Sequence, residues 1–406
     1  MTSAKPDVPP SWLDEIPTRL AALDAAHLTR KRRRVRPAGG ASLWVDGRKM
    51  LAFCSNDYLG LSQHPALAAA AVSATTTYGV GSGASPMVSG HSEANAALEL
   101  ELAAFVGLER ALYFYAGYAT NASIVPALVG PGDALFSDAL NHACLIDGAR
   151  LSKADIHRYA HADLAQLDAQ LGACAARRKL VISDAVFSMD GDVIDIPALI
   201  ALCDRHDALL LLDDAHGFGV CGPQGRGSLA AVDRTGAHAS RRVLYMATLG
   251  KAAGVSGAFV AGDATLVEWL LQKTRSYTFA TSAPALLAES VRAALRVMQA
   301  EPERIARLHA NIARFRAGLP AAIAGTTWRL LPSTTAVQAL IIGANDVALA
   351  VMQSLADGGL WVPAIRPPTV ADGTARLRIA LSAAHELAEV DMLLDALAKA
   401  ARRFVA

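Results

Sequence analysis

The chain has 406 residues, of which 53% are hydrophobic and 18% are charged, and 38 basic residues balance 37 acidic ones to give a net charge of +1. This composition supports two or three domains with buried cores and excludes a disordered or collagen-like chain. The near-zero charge leaves no basic field for a nucleic-acid backbone, so we expect no nucleic-acid partner.

The N-terminus and the cysteines indicate the cellular compartment. Residues 1–10 contain three prolines together with Lys5 and Asp7, and they lack the apolar stretch of a secretory signal. No run reaches the roughly 18 consecutive apolar residues that would cross a membrane. The five cysteines include no Cys-x-x-Cys pair, which disfavours a disulfide framework or a structural zinc site. We therefore expect a cytoplasmic protein with reduced thiols, no metal and no membrane contact.

The order of apolar runs predicts the domain organisation. Residues 1–49 read as an arm, with an amphipathic helix and the basic cluster Arg30–Arg34. Residues 50–290 alternate strand-like runs with helical stretches, which predicts an α/β domain whose mostly parallel sheet is covered by helices. Residues 291–406 predict a smaller α+β domain. The strand-like runs are 111–115, 134–136, 179–183, 208–213, 243–248, 257–261, 336–342 and 375–381, and the C-terminal part adds helices over 293–317 and 387–404.

Polar side chains follow several of these strands, at the sheet edge where open parallel sheets bind ligands. The run ending at Leu212 is followed by Asp213-Asp214-Ala215-His216, and the run ending at Ser183 leads to Asp184 and Ser188. A solvated turn is the alternative interpretation of the first group, because Asp and Gly are common turn residues.

Lys251 follows Thr248 and Gly250 and lies between two apolar runs, 243–246 and 255–260. A lysine beside glycines is usually a surface residue. A lysine held between two strands would instead be desolvated, which lowers its pKa and suits it to form an imine with a carbonyl.

A phosphate cradle and flat rings complete the pattern. Gly117 and Tyr118 follow a strand-like run and open a helical one, and a helix N-terminus attracts anions. His142 and His216 offer flat imidazoles. An imine-forming lysine, an acid for a ring nitrogen and a phosphate turn are the requirements of pyridoxal 5′-phosphate.

The chain resembles the α-oxoamine synthases, a family of fold-type I pyridoxal-phosphate enzymes. The resemblance extends from about residue 20 to residue 400 and implies a large domain with a mostly parallel sheet, a smaller C-terminal domain and a homodimer. The segments that carry it are 55–61 (SNDYLGL), 79–90 (GVGSGASPMVSG), 187–192 (FSMDGD), 213–216 (DDAH) and 248–251 (TLGK).

The resemblance implies a role for each matching residue. Lys251 would form the Schiff base and move protons, Asp213 would pair with the pyridinium nitrogen, and His142 would stack on the cofactor ring and act in catalysis. The other implied cofactor contacts are Gly117 and Tyr118 at the turn, Ser188 and His216 at the phenolic oxygen, Thr248 at the phosphate, and Thr281 at the neighbouring subunit's phosphate. The implied substrate contacts are Arg32, Asn56, His142, Thr369 and Arg378. Tyr118 stands where phenylalanine is common in the family.

Two segments, 213–222 and 364–378, are most similar to the alanine-using, biotin-pathway member of the family. The resemblance therefore implies an acyltransferase that condenses L-alanine with pimeloyl-ACP or pimeloyl-CoA and releases carbon dioxide and the thiol. A glycine-using sister acyltransferase, of the glycine C-acetyltransferase or 5-aminolevulinate synthase type, shares the same catalytic residues and is the alternative.

Three other classes fit less well. A nucleotide-binding dehydrogenase is disfavoured because Gly79, Gly81 and Gly83 alternate and follow no clear strand. A non-catalytic subunit of the same fold is disfavoured by the presence of Lys251. A metal hydrolase could use the Asp213 group, but no His-Glu-x-x-His spacing supports one.

Overall fold

Three β-sheets organise the chain in the computed structural model, which describes residues 11–232 and 240–404. The strands are β1 (Val35–Pro37), β2 (Ser42–Val45), β3 (Arg48–Ala52), β4 (Arg110–Phe114), β5 (Ala134–Asp138), β6 (Asp155–Tyr159), β7 (Lys179–Asp184), β8 (Leu209–Asp213), β9 (Val243–Thr248), β10 (Ala258–Gly262), β11 (Arg329–Leu330), β12 (Val337–Gly343), β13 (Leu360–Trp361), β14 (Ala364–Ile365) and β15 (Ala375–Ala380).

Helices connect and cover these sheets. They are α1 (Trp12–Ala25), α2 (Pro65–Tyr78), α3 (Glu93–Val106), α4 (Gly117–Leu128), α5 (Ala143–Ser152), α6 (Leu164–Ala173), α7 (Ile196–Arg205), α8 (Ala264–Lys273), α9 (Arg275–Thr278), α10 (Ala285–Ala300), α11 (Glu303–Ala322), α12 (Asn345–Asp357) and α13 (Leu387–Phe404). Within the described ranges, no helix is both long enough and apolar enough to span a membrane.

The central sheet has the strand order β4-β10-β9-β8-β7-β5-β6. Neighbouring strands are parallel except at β10, which is antiparallel to both β9 and β4. Leu210 and Leu212 pack into one hydrophobic cluster and Leu211 packs into the other, because successive side chains of a strand point to opposite faces. The sequence prediction of a mostly parallel sheet covered on both faces is confirmed.

Some elements differ from the sequence prediction. The single helix predicted over 293–317 is two helices, α10 and α11, that break at Glu301 and Pro302. The break is consistent with proline, whose fixed φ and missing N–H suit a helix start better than a helix interior. The strand β6 was missed because it is an edge strand with four exposed residues and no apolar run.

Part of the predicted arm forms regular structure. Strands β1, β2 and β3 form an antiparallel ribbon, and β3 pairs in parallel with β13 through Leu51 and Leu360. The Arg48 guanidinium also donates to the Asp357 carbonyl oxygen at 2.5 Å, so the described part of residues 1–49 contacts the segment after residue 290. The division into 1–49, 50–290 and 291–406 stays a prediction.

Gly257 holds the loop that carries Lys251. Its carbonyl accepts hydrogen bonds from the Leu249 N–H at 2.9 Å and from the Thr248 hydroxyl at 3.1 Å. Its φ is +99°, and a Cβ atom here would lie 2.7 Å from Tyr113 Cε2 and 2.9 Å from the Phe114 carbonyl oxygen. Only glycine fits this position without strain and overlap.

We expect Gly257→Ala to lower the free energy of unfolding by about 2–4 kcal/mol, because it combines a left-handed backbone with overpacking. The matched control is Gly132→Ala, which has φ of +85° but no atom within 4 Å of the new methyl group. The control should cost about 1 kcal/mol. Urea unfolding of both variants measures the difference, and equal losses would contradict the crowding argument.

Candidate active site

A cavity of about 190 Å³ opens at the carboxyl ends of the central parallel strands. Asp213 ends β8 and Asp184 ends β7, and the two residues are register partners. Lys251 lies in the loop after β9. The lining residues are Gly117, Tyr118, Asn121, His142, Cys144, Asp184, Asp213, Ala215, His216, Met246, Thr248 and Lys251.

The Lys251 amine points at His216, with Nζ 2.7 Å from Nε2. Burial lowers the pKa of Lys251 to about 8, while attraction to Asp213 opposes the change. Burial also lowers the pKa of His216 well below its ordinary value, and the nearby charges of Lys251 and Arg378 act in the same direction. The loop lysine is therefore an internal group, as its place between two apolar runs predicts.

A chain of hydrogen bonds connects His216 to Arg378. Tyr58 lies with its hydroxyl 2.6 Å from His216 Nδ1 and donates to Asn56 Oδ1 at 3.2 Å. The Arg378 guanidinium donates to Asn56 Oδ1 at 3.3 Å and to the Ser188 carbonyl oxygen at 2.6 Å. Both Arg378 and Tyr58 are buried. These contacts fix a cation at one end of the site.

The Asp213 carboxylate has two partners. Its Oδ1 accepts the Ala215 N–H at 2.9 Å, and its Oδ2 accepts the Asn121 side-chain amide at 2.5 Å. Asp184 accepts the His142 N–H at 2.6 Å. Burial raises the pKa of Asp184 well above its ordinary value, and the neighbouring Asp213 adds to this effect. Two carboxyl groups thus line the same cavity and have different hydrogen-bond partners.

The N-terminus of α4 forms the other end of the cavity. Ala116 provides no side-chain cap to this helix, and Gly117 and Tyr118 line the cavity. A Cβ atom on Gly117 would lie 3.5 Å from Thr248 Oγ1, so the hydroxyl lies close to the helix start. Helix N–H groups and a hydroxyl together suit an anion such as phosphate.

These residues fit pyridoxal phosphate. The cavity offers an amine for a carbonyl, a buried carboxylate for a ring nitrogen, a flat imidazole at its wall and an anion site at the α4 N-terminus. Asn121 Oδ1 is buried without a hydrogen-bond partner, so the polar lining is incomplete among the described residues. The amine, the carboxylate and the anion site match the aldehyde, the ring nitrogen and the phosphate of that cofactor.

Other residues named from the sequence lie outside this cavity. Ser188 contributes its carbonyl oxygen to Arg378. Thr281 lines a separate crevice with Tyr115, Ser276 and Tyr277. Thr369 is exposed and donates its N–H to the Arg366 carbonyl at 3.1 Å. Arg32 is exposed. The roles given to these four residues stay predictions.

Several residues of the site have no role assigned from the sequence. Asn121 and Cys144 project from α4 and α5, one turn or less beyond Gly117 and His142. The fourth residue after Gly117 returns to the same helix face, which is the signal that could have identified Asn121. Tyr58 lies in the SNDYLGL segment, and its contact with His216 depends on a sequence separation of 158 residues.

Asp214, which follows Asp213, has a structural environment. It accepts the Ser228 N–H and hydroxyl, each at 2.7 Å, and the Tyr245 hydroxyl at 2.8 Å. Burial raises its pKa to about 6, and the hydrogen bonds from Ser228 and Tyr245 oppose that rise.

In the described part of the chain, no cluster of three or more His, Cys, Asp or Glu residues could hold a metal.

The Gly-x-Gly-x-x-Gly spacing does occur in the chain, at Gly217–Gly222 rather than at Gly79, Gly81 and Gly83. It follows β8 but leads into turns rather than a long helix. A Cβ atom on Gly217 would lie 2.0 Å from Asp214 Oδ1, so packing requires this glycine. The spacing here lacks the strand-to-helix context of a dinucleotide site.

Comparison with known proteins identifies the family. The family model for aminotransferase class I and II matches residues 48–397. An 8-amino-7-oxononanoate synthase from Paracidovorax citrulli is 71% identical over 389 residues, which cover 96% of this chain and 94% of that protein. A protein of the same name from Delftia acidovorans is 69% identical over 396 residues, covering 97% and 98%.

Solved structures agree with the fold. Serine palmitoyltransferase from S. paucimobilis, solved with bound PLP–myriocin aldimine, has a TM-score of 0.88 at 27% identity, covering 96% of this chain and 98% of its own. An 8-amino-7-oxononanoate synthase from Francisella tularensis has a TM-score of 0.74 at 26% identity, covering 87% and 98%. The chain therefore belongs to the aminotransferase class I and II family, as a fold-type I enzyme that uses pyridoxal phosphate, and within that family to the 8-amino-7-oxononanoate synthases.

Proposed function

We propose that this enzyme condenses L-alanine with a pimeloyl thioester to give 8-amino-7-oxononanoate, carbon dioxide and a free thiol, as a step of biotin biosynthesis. The product after which the relatives are named, 8-amino-7-oxononanoate, has nine carbon atoms, which can be divided between the two substrates. Its ketone at C7 corresponds to the carbonyl of a seven-carbon acyl group. Its amine-bearing C8 and terminal methyl correspond to alanine after loss of the carboxyl group. The observation that supports this proposal most directly is the partly buried Lys251 side chain, whose amine lies 2.7 Å from His216 Nε2 in the cavity that Asp213 also lines, in a chain 71% identical to such a synthase.

Pyridoxal phosphate, when bound, withdraws electrons from the amino-acid α carbon, so that its proton and its carboxyl group can leave. Asp213 would hold the ring nitrogen, and Lys251 would hold the carbonyl end. The α4 N-terminus and Thr248 would hold the phosphate. His142 would cover one face of the ring.

Lys251 is the group that moves the α proton of alanine. Its pKa of about 8, against an ordinary 10.5, raises the fraction of neutral amine near pH 7 by roughly 300-fold. A neutral amine can accept a proton and later return it. The 2.7 Å contact with His216 Nε2 directs Nζ and keeps it inside the cavity.

Arg378 and Asn56 would receive the alanine carboxylate. The Arg378 guanidinium is buried, and its bonds to the Ser188 carbonyl and to Asn56 fix its orientation. A pre-oriented arginine binds a carboxylate with charge-assisted hydrogen bonds. Arg378 would thus hold the substrate carboxyl group, while the Lys251 amine needs access to the α proton.

The test is the visible absorption of the purified enzyme with pyridoxal phosphate during titration with L-alanine and, separately, glycine. We expect a cofactor band that changes at alanine concentrations at least about tenfold lower than the glycine concentrations needed. The control is Lys251→Ala, which should lose turnover by at least about 10³-fold because both the covalent link and the proton transfer are removed. A preference for glycine would favour the sister acyltransferase, and full activity of the control would overturn the role of Lys251.

A second, cationic cavity supports an anionic acyl carrier. It has a volume of about 520 Å³ and lies between the segment after α1 and the region of α12 and β14. Its lining includes His27, Arg30, Lys31, Arg33 and Arg366. Burial lowers the pKa of Arg366, and the nearby positive charge of Arg30 lowers it further. We propose that the basic cluster Arg30–Arg34 attracts an acidic carrier protein.

Charge reversal tests that proposal. The double variant Arg30→Glu, Lys31→Glu should raise KM for pimeloyl-ACP at least about tenfold, because rim charges act on association. Its effect on pimeloyl-CoA should be smaller, since the carrier protein presents more acidic surface. Arg402→Glu on α13 is an exposed control that should change neither KM. Equal effects on both thioesters would contradict the proposal.

An exposed apolar patch supports a homodimer. Val80, Val88 and Phe279 are 73%, 80% and 72% exposed. The two segments that carry them are joined by a hydrogen bond from Ser82 Oγ to the Ser282 carbonyl at 2.6 Å. Thr281 lies in the same region, so a second copy on this face would bring Thr281 to the neighbouring site. Large exposed apolar patches mark interaction surfaces.

We expect Phe279→Asp combined with Val88→Asp to halve the mass measured by sedimentation, because two buried charges would disrupt the apolar contact. Cofactor affinity should fall at least about tenfold if the partner completes the phosphate site. Met392→Asp on α13 is the control for a charge at an exposed apolar residue elsewhere. A monomeric wild-type protein would overturn the proposal.

The cytoplasmic location expected from the sequence stays a prediction.

A further inference from the structure

Cys144 connects two residues that face the cofactor cavity. The Asn121 side-chain amide donates to Asp213 Oδ2 at 2.5 Å and to Cys144 Sγ at 3.2 Å. Cys144 Sγ in turn lies 2.9 Å from His142 Nδ1. Asn121, Cys144 and Asp213 are all buried. The thiol is therefore the link between the acid for the ring nitrogen and the imidazole at the cavity wall.

The direction of these hydrogen bonds follows from the groups involved. The Cys144 backbone N–H lies 3.2 Å from His142 Nδ1 and can only donate, so Nδ1 accepts and carries no proton. His142 is the N-cap of α5, and this contact is its capping bond. The thiol, at 2.9 Å from the same nitrogen, can then act only as a second donor, which shares the single Nδ1 lone pair with the backbone N–H.

The orientation of Asn121 agrees with this assignment. Its amide nitrogen faces the Asp213 carboxylate, which accepts hydrogen bonds, and its Oδ1 has no partner among the described residues. The sulfur thus accepts from Asn121 through a lone pair while its S–H remains free to donate to His142. The order of donors runs from Asn121 to Cys144 to His142.

We propose that Cys144 is a positioning residue that fixes His142 as the tautomer protonated on Nε2, so that a neutral ring presents one N–H donor to the cavity. With Nδ1 occupied by two donors of Cys144, Nε2 is the nitrogen that carries the proton of a neutral imidazole. The alternative tautomer would lose both bonds and the α5 cap.

The surrounding charges are consistent with a neutral His142. Burial lowers its pKa, Asp213 opposes that change, and Lys251 lowers it further. Asp184 contacts the His142 backbone N–H rather than the ring. Burial also raises the pKa of the Cys144 thiol, and Asp213 adds to that effect, so the sulfur keeps its proton.

The tautomer follows from the contacts alone, whereas its use rests on the proposed function. An Nε2–H donor at the wall of a site for an anionic amino acid attracts a carboxylate oxygen. An Nε2 lone pair in the same place would repel it, and an imidazolium would repel Lys251. A fixed tautomer therefore favours substrate entry without adding a charge beside the lysine.

The test is the 15N NMR spectrum of histidine-labelled protein at neutral pH, before and after addition of pyridoxal phosphate, with His142 assigned through His142→Gln. We expect a pyridine-like shift for Nδ1 and a pyrrole-like shift for Nε2. Cys144→Ala should move both shifts part of the way toward the average of the two tautomers, because the thiol donor is lost while the backbone N–H donor of residue 144 remains. Cys144→Ser should restore the wild-type pattern, because its hydroxyl can donate.

The control is Cys203→Ala, which removes a buried thiol from α7 and should leave the His142 shifts unchanged. A protonated Nδ1 in the wild type, or wild-type shifts in Cys144→Ala, would overturn the proposal. Failure of the proposed function has a different signature, because a glycine preference in the absorption titration would leave the His142 shifts as expected. As a kinetic readout, KM for alanine should rise at least about threefold in Cys144→Ala and return in Cys144→Ser.

Discussion

The burial of one amine is the constraint on which the rest of the site depends. A neutral amine costs less to bury than an ammonium ion, so desolvation lowers the pKa of Lys251 to about 8. Asp213 opposes that change and keeps the amine from behaving as an isolated neutral group. The loop must therefore hold Nζ where desolvation lowers the lysine pKa and the charge of Asp213 limits that decrease. Gly257 does so by accepting the Leu249 N–H and the Thr248 hydroxyl with a backbone that a side chain would crowd.

The parallel sheet explains why these groups meet. Strands β7, β8 and β9 run in the same direction, so their carboxyl ends place Asp184, Asp213 and the Lys251 loop at one edge. The strands themselves are apolar on both faces, and their ends are the first places where polar groups can reach a cavity. Each buried polar group there needs a partner, because an unpaired one costs about 1–3 kcal/mol. Asp214 meets this need with Ser228 and Tyr245, which explains why only Asp213 of the adjacent pair lines the cavity.

Sequence reasoning succeeded where burial is complete. Strand β9 was predicted with its observed bounds, Val243–Thr248, because an apolar run between turns has one stable location in a covered sheet. Lys251, Asp213 and His216, which line the cavity, could be named from the sequence because they lie at or just after the ends of such runs. Strand β6 could not be predicted, since an edge strand with exposed residues lacks that signal. Tyr58 and Cys144 were missed because their importance lies in contacts with His216 and His142, and hydrogen-bond direction is not encoded in residue spacing.

The choice of acyl substrate must be made away from the catalytic residues. The fold resembles serine palmitoyltransferase with a TM-score of 0.88, while the sequence is 71% identical to an 8-amino-7-oxononanoate synthase. A TM-score of 0.88 shows that the two proteins share a fold, so the fold alone does not select the acyl substrate. An enzyme that distinguishes a long alkyl chain from a shorter acyl chain ending in a carboxylate needs a positive charge that contacts this carboxylate. The cavity lined by Arg30, Lys31, Arg33 and Arg366 is cationic, and it joins the N-terminal segment to the region of α12 and β14, so we propose that it could also receive such a carboxylate. If that proposal holds, a specificity element built from segments at the two ends of the chain could change without altering the strand-end residues, and one catalytic centre could then serve acyl groups of different polarity.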